Sequence, residues 1–150
     1  MKLAIQLSKS GMETGKGGPF GCVVVKDGKI LGQGCNEVLL KNDPTAHAEV
    51  VAIREACRTL GDFQLTGCVV YTSCEPCPMC MGAIYWARPE RVIYANTKSD
   101  AAAVGFDDQF IYQELDLPGE RRAIPFSQMM REEAYEVFQS WRDSNNKTLY

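Results

Sequence analysis

The chain has 150 residues, a size typical of one ordinary domain that buries a hydrophobic core without disulfides to support it. Hydrophobic residues make up 45% and charged residues 23% of the chain, which excludes a disordered or low-complexity protein. The formal net charge of −3 excludes the strongly basic surface that is typical of nucleic-acid-binding proteins.

The unusual feature of the composition is seven cysteines beside a single histidine. An odd number of cysteines cannot pair completely, and a chain of this length does not need disulfides. The N-terminus lacks the apolar stretch of a signal peptide, and no apolar run approaches the roughly 20 residues that span a bilayer. We therefore expect a soluble protein of the reducing cytoplasm, where clustered cysteines indicate metal binding or catalysis.

The first half of the chain predicts a helix, a hairpin and a second helix. The first fifteen residues are weakly helical and are followed by a Gly- and Pro-rich break at 15–19. Two apolar runs around an Asp-Gly turn predict a β-hairpin over 22–32. Asp43 as N-cap and Pro44 as first helical residue predict the start of a helix that ends at Gly61.

The second half predicts strands that alternate with helices. A short apolar strand at 68–71 precedes a helix at 78–87, which is followed by a strand at 91–95. A long polar connection then leads to a last helix that starts near Ser127 and has apolar residues at the helical period. This order predicts an α/β protein with a mixed sheet covered by helices on both faces.

Two short motifs carry the chemistry. The only histidine stands in a His-Ala-Glu sequence, and a Pro-Cys-Pro-Met-Cys sequence follows at 76–80. One imidazole and two thiolates suit zinc and leave its fourth tetrahedral position for water. The pattern H-x-E followed by P-C-x-x-C is the signature of zinc nucleobase deaminases, whose glutamate exchanges protons without binding the metal. We therefore predict His47, Cys77 and Cys80 as ligands of one zinc ion and Glu49 as the catalytic residue.

The spacing of these residues predicts where the metal lies. His47 and Glu49 are two residues apart, so they do not share a face of one helix, and they converge only around a helix end. Cys77 and Cys80 are three residues apart and share one face of a helix that begins at Pro78. We therefore predict a zinc ion between two helix N-termini, whose positive ends favour thiolates.

Cys74 offers two alternatives to this site. It extends the motif to C-x-x-C-x-x-C, but an iron–sulfur pattern would require a cysteine where Ile84 stands. A closed Cys3His zinc site that includes Cys74 is typical of a non-enzymatic structural-zinc interaction module, but it leaves Glu49 without a role. We predict that Cys74 lies beside the site and that the other four cysteines are small buried hydrophobes.

With these residues in place, the chain resembles the cytidine deaminase-like superfamily, and more closely its short bacterial guanine deaminases. The resemblance covers nearly the whole chain, with matching segments at 17–21, 42–49, 71–80, 82–89 and the Gly-Phe-Asp-Asp sequence at 105–108. It implies a three-layer α/β/α sandwich formed by a single domain of residues 1–150, and hydrolysis of guanine to xanthine and ammonia in purine metabolism. Deamination of tRNA adenosine or of cytosine is the alternative, although the acidic charge disfavours RNA.

The resemblance also implies substrate contacts and an assembly. Asn36 would hydrogen-bond the purine edge, Phe20 would pack against the ring, and Asp108 would accept hydrogen bonds from the base. Ala48 would add a backbone contact. The C-terminal segment of this family can be exchanged between the two subunits of a homodimer, so that the terminal Tyr150 closes the partner's active site. An acidic acceptor suits guanine, which presents several N–H donors.

Overall fold

A computed structural model describes residues 1–106 and 108–150 of the chain. Asp107, part of the Gly-Phe-Asp-Asp segment, lies outside the described residues. The chain divides into two compact units, Met1–Asp108 and Gln109–Tyr150. The expectation of a single domain over the whole chain stays a prediction.

The first unit contains a four-stranded mixed sheet with the strand order β2-β1-β3-β4. Strand β1 pairs antiparallel with β2 and with β3, and β3 pairs parallel with β4. The mixed sheet confirms the predicted fold class. The elements of this unit are α1 Lys2–Glu13, β1 Gly21–Lys26, β2 Lys29–Cys35, α2 Val38–Lys41, α3 Ala48–Leu60, β3 Val69–Cys74, α4 Pro78–Ala87, β4 Arg91–Asn96 and α5 Lys98–Ala103.

Helices cover both faces of the sheet. Successive residues of a strand point to opposite faces, so Gly21 and Cys22 of β1 mark the two sides. A Cβ at Gly21 would meet the backbone of Ala4 in α1. Cys22 instead belongs to the buried core that includes Ala48 of α3 and Ala87 of α4. Helix α1 therefore covers one face and helices α3 and α4 the other, which gives the predicted three-layer α/β/α arrangement.

Helix α3 starts later than the sequence predicts. Asp43 is not its N-cap, because Asp43 Oδ1 accepts hydrogen bonds from the backbone N and from Oγ1 of Thr45, at 2.8 and 2.7 Å. This local Asx turn satisfies the side chain that would otherwise cap a helix. The N-cap is His47, and the helix ends as predicted before Gly61, which has a left-handed φ of 70°.

The polar connection after β4 contains short helices that the hydrophobic pattern of the sequence does not predict. Helix α5 begins with a capping box, in which Asp100 N donates to Thr97 Oγ1 and Thr97 N donates to Asp100 Oδ2. The sequence signal is the T-x-x-D pattern, which satisfies two orphan N–H groups at a helix start. Short helices of this kind lack the length over which hydrophobic periodicity is visible.

The second unit consists of α6 Gln109–Leu115, a 3-10 turn at Gly119–Arg121 and α7 Arg131–Asp143. Helix α7 starts four residues after the predicted Ser127, and Met130 with a φ of 53° precedes it. No residue of α7 is buried, although Val137, Phe138 and Trp141 follow the helical period. Across the described part of the chain, we find no helix that combines the length and the apolar character required to cross a membrane.

Candidate metal centre and active site

Three candidate metal ligands meet at the N-termini of two helices. His47 is the N-cap residue of α3 and Cys77 is the N-cap residue of α4, and both have extended backbone before the helix begins. His47 Nδ1 lies 3.5 Å from Cys77 Sγ and 3.5 Å from Cys80 Sγ. This placement agrees with the expectation that the motifs converge between two helix N-termini.

The three side chains fit a tetrahedral zinc ion. Zn–S bonds of about 2.3 Å and Zn–N bonds of about 2.0 Å at a tetrahedral angle place the nitrogen and sulfur ligands roughly 3.5 Å apart. The two His47–cysteine distances have this value, and all three ligand atoms lie within 4.8 Å of one another. Among the described residues, this is the one group of His, Cys, Asp and Glu side chains that offers a metal site of three or more ligands.

Cys77 is the more acidic thiol of the cluster. Hydrogen bonds from Cys80 and His47 lower the pKa of Cys77 to about 4. The same contacts with Cys77 raise the pKa of Cys80 and of His47, which favours their protonated forms. The surroundings of Cys77 therefore favour the thiolate, the form of cysteine that binds a metal.

Glu49 lies beside this cluster without belonging to it. It is the second residue of α3, and only 4% of it is exposed. Oε1 accepts a hydrogen bond of 2.8 Å from Thr72 Oγ1, and Oε2 lies 3.4 Å from Cys80 Sγ. Burial raises the pKa of the Glu49 carboxyl, because the charged form loses its hydration. The result is a carboxyl group suited to taking up and returning a proton next to a metal site.

Thr72 is absent from the site residues that the motifs predict. It lies in β3 and is fully buried, and its side chain reaches Glu49 across 23 positions of sequence. The available signal in the sequence is a threonine two residues after Val70, on the same face of a strand that otherwise buries apolar groups there. That signal does not identify the partner, which depends on how α3 packs on the sheet.

The Cys74 thiol forms a hydrogen bond with a backbone group outside the His-Cys-Cys cluster. Its Sγ donates to the backbone oxygen of Thr97 at 3.5 Å, and burial raises the pKa of the thiol to about 11. It is not one of the three residues whose ligand atoms cluster, within the described ranges. This geometry argues against a closed Cys3His site and supports a position of Cys74 beside the centre.

Two of the predicted substrate contacts lie in a region formed by the loop before β1 and the end of β2. Asn36 is buried, and its Oδ1 accepts hydrogen bonds from Gly18 N at 3.3 Å and Val38 N at 3.2 Å. Its side-chain oxygen therefore shapes the backbone, which leaves the amide NH2 as the group suited to a ligand. Phe20 is partly buried and meets Phe106 edge to face, with ring centroids 4.9 Å apart.

The remaining predicted contacts differ in their relation to the metal cluster. Ala48 is fully buried at the first position of α3. The pKa of His47 is raised mainly by its hydrogen bond with Cys77, and the negative charge of Asp108 adds to this effect, so Asp108 lies within electrostatic range of the cluster. Tyr150 belongs to the second unit and is 68% exposed. The substrate roles of these residues stay predictions.

Comparisons with known proteins place the site in a family context. Residues 1–96 match a family model described as the cytidine and deoxycytidylate deaminase zinc-binding region. This range includes the His-Ala-Glu sequence and the Pro-Cys-Pro-Met-Cys sequence. Guanine deaminase of Bacillus subtilis is 57% identical over 150 residues, covering 100% of this chain and 96% of that protein. An X-ray structure of guanine deaminase from Bacillus subtilis matches with a TM-score of 0.96 at 58% identity, covering 99% of this chain and 95% of that chain. The tRNA-specific adenosine deaminase of Aquifex aeolicus is 37% identical over 138 residues, covering 91% of this chain and 87% of that protein.

Proposed function

The chain belongs to the cytidine and deoxycytidylate deaminase family, and from this premise we propose that it catalyses the zinc-dependent hydrolysis of guanine to xanthine and ammonia. The observation that carries the proposal is the buried Glu49 carboxylate, held by Thr72 on one side and facing the His-Cys-Cys cluster on the other. The choice of guanine is supported by similarity to Bacillus guanine deaminase, which continues past the family model at residue 96 to the end of the chain.

The His-Cys-Cys cluster would hold the metal that the reaction requires. His47, Cys77 and Cys80 would hold one zinc ion per chain. When bound, zinc acts as a Lewis acid and lowers the pKa of a water ligand, which makes that water a nucleophile near neutral pH. Three protein ligands leave one coordination position for this purpose.

Glu49 carries the protons of the reaction. A water oxygen forms a bond to C2 of the purine, and the bond from C2 to the exocyclic amino nitrogen breaks. Glu49 takes one proton from the water and delivers it to a ring nitrogen. It then takes the second proton from the new hydroxyl group on C2 and delivers it to the departing amine, so that guanine and water give xanthine and ammonia.

The purine is recognised by four residues of the first unit. The Asn36 amide NH2 donates to the purine edge, and the Asp108 carboxylate accepts from N–H groups of the base. Phe20 packs against the ring, and Ala48 adds a backbone contact at the N-terminus of α3. Adenine and cytosine present fewer N–H donors, so they would form fewer hydrogen bonds with the Asp108 carboxylate.

The protein functions in the cytoplasm as a homodimer that exchanges its C-terminal segments, and Tyr150 closes the partner's active site. The free state of all seven cysteines supports a reducing compartment. Apolar residues of α7 are exposed, including Phe138 at 71% exposure, and this supports a dimer in which a second copy of the chain buries them.

Subunit mixing tests this exchange. Glu49→Gln and Tyr150→Ala subunits are each expected to have little activity as homodimers. In an exchanged heterodimer, one site would combine a native Glu49 with a native Tyr150 from the other subunit, so that activity is regained on mixing. Mixed dimers without regained activity would contradict the exchange.

A substrate panel tests the function. The zinc-loaded protein is incubated with guanine, adenine, cytosine, their nucleosides and a tRNA anticodon stem-loop, and ammonia is measured. We expect release from guanine alone, and release from the stem-loop adenosine would favour the tRNA deaminase activity of the Aquifex relative. No release from any substrate would favour a structural-zinc interaction module.

Glu49→Gln tests the proton carrier. We expect kcat to fall by roughly 100- to 10,000-fold, because a positioned acid–base group contributes about that much. Zinc content should be unchanged, because Glu49 is not a ligand. The matched control is Glu13→Gln, which makes the same chemical change at an exposed position of α1. Retained turnover in Glu49→Gln would contradict the role of Glu49.

A further inference from the structure

A hydrogen bond joins Thr72 of β3 to Glu49, the proposed proton carrier. Thr72 Oγ1 donates to Glu49 Oε1 at 2.8 Å, with the threonine fully buried and the glutamate 4% exposed. The hydroxyl is the donor of this pair. The contact lies in a buried environment, where hydrogen bonds are strong.

The backbone of Thr72 is fixed on both sides. Strand β3 is an inner strand of the sheet, and the Cα of Thr72 is paired with Cys22 of β1 and with Tyr94 of β4. Its β-branched side chain has few accessible rotamers in such a strand. The hydroxyl is therefore a hydrogen-bond donor in a fixed position.

Burying the Thr72 hydroxyl costs free energy of folding unless the hydroxyl forms a hydrogen bond. Thr72 lies on the same face of β3 as Val70, which is part of the buried apolar core. A valine has nearly the same shape and would avoid the cost of burying a hydroxyl. Within the described residues, the Thr72 hydroxyl donates a hydrogen bond to Glu49, and this bond offsets the cost of burying both polar groups.

We infer that Thr72 is a positioning residue, whose hydroxyl holds Oε1 of Glu49 and thereby leaves Oε2 as the oxygen that exchanges protons with the reacting groups. This inference rests on the proposed role of Glu49 as proton carrier. The geometry separates the two oxygens, because Oε1 contacts β3 whereas Oε2 lies 3.4 Å from the candidate ligand Cys80. Without the hydroxyl, the carboxyl group loses the hydrogen bond that fixes Oε1 in this orientation.

The kinetic test compares Thr72→Val with Thr72→Ser in zinc-loaded protein. The valine variant keeps the shape and loses the donor, and we expect kcat to fall roughly 10- to 100-fold, the usual effect of one hydrogen bond to a charged group. KM should change little, because the Thr72 side chain is fully buried. The serine variant restores the hydroxyl and should recover most of kcat. Thr66→Val, at an exposed loop position, is the matched control.

Two further measurements separate positioning from a structural role. Zinc content and the unfolding midpoint should be alike in the valine and serine variants. In a Glu49→Gln background, Thr72→Val should have no additional effect on the residual rate, because a residue that acts through Glu49 has nothing left to position. Isotope-edited infrared spectra should show a carboxylate band that is missing in Glu49→Gln, shifts in Thr72→Val and keeps its position in Thr72→Ser.

The outcomes distinguish this inference from the function on which it rests. Unchanged kcat in Thr72→Val, or an equal loss in Thr72→Ser, would overturn the positioning role while guanine turnover by the unmodified chain still stands. An unshifted carboxylate band would overturn it as well. Failure of the unmodified zinc-loaded chain to release ammonia from guanine would overturn the proposed function, and the role of Thr72 with it.

Discussion

Gly34→Ala probes the contact that fixes the start of α3 against the sheet. Gly34 is a buried residue of β2, and an added Cβ would lie 2.8 Å from Cβ of Val51 and 2.9 Å from the backbone oxygen of Ala48. Ala48 directly follows His47, and Glu49 comes next in the same turn. The substitution therefore pushes on the turn of the helix that carries two residues of the candidate site.

The size of the effect follows from the distances. Ordinary van der Waals contacts of a Cβ begin at 3.4 Å, so both neighbours must retreat by roughly 0.5 Å. Neither neighbour is the free end of a flexible side chain, since one is a β-branched carbon and the other is backbone. Overpacking of this kind costs about 1–3 kcal/mol of unfolding free energy. We expect a loss in that range, together with a lower kcat, because the displaced turn carries Glu49.

Denaturant unfolding of zinc-loaded protein measures the loss, and Gly82→Ala is the matched control. Gly82 lies inside α4, and an added Cβ there meets nothing within 4 Å. Because glycine is unfavourable inside a helix, the control should gain about 0.5–1 kcal/mol. A Gly34→Ala chain as stable as the unmodified one, or a control that loses as much, would refute the packing argument.

Three further predictions concern the site. Removal of zinc with a chelator should abolish ammonia release, and added zinc should restore it; restoration by magnesium alone would contradict a His-Cys-Cys zinc centre. Cys74→Ala should retain zinc, because Cys74 donates to Thr97 instead, and X-ray absorption should find two sulfur ligands in the unmodified protein; a third sulfur would contradict the open site. Phe106→Leu should raise KM for guanine by roughly 2- to 10-fold, because Phe20 loses an edge-to-face contact worth about 0.5–1.5 kcal/mol. A fall in kcat with unchanged KM would argue against that contact as a support for substrate binding.

The residue spacing was sufficient to predict the arrangement of the candidate ligands. Residues two apart cannot share a helix face, so His47 and Glu49 required a helix end, and the structure places His47 as the N-cap of α3. Helix α4 follows the predicted 78–87 range, because a proline favours the first turn and another proline follows its end. These features are local, so the sequence around each residue contains the information.

The start of α3 could not be read from local signals. Asp43 and Pro44 are typical of a helix start, but Asp43 forms an Asx turn with Thr45, and the helix begins four residues later than predicted, with His47 as its N-cap. As a helix N-cap or in an Asx turn, the Asp43 carboxylate accepts a hydrogen bond from a nearby backbone N–H group. The choice between these two local structures therefore depends on the rest of the fold. The hydrogen bond of Glu37 N to Ala46 O, which joins the end of β2 to the segment before α3, belongs to that tertiary context.

The sequence by itself determined which residue types are available for chemistry: one imidazole, a pair of thiols three residues apart, and a glutamate two residues after the histidine. Only the tertiary structure decided how they are used. Packing of α3 and α4 on one face of the sheet brings His47 to 3.5 Å from both thiols and places Thr72 against Glu49. The pairing of β3 with β4 brings Cys74 to Thr97. The physical reason is that these contacts join residues more than twenty positions apart, so their distances are set by strand pairing and by the packing of helices on the sheet, and not by local sequence preference.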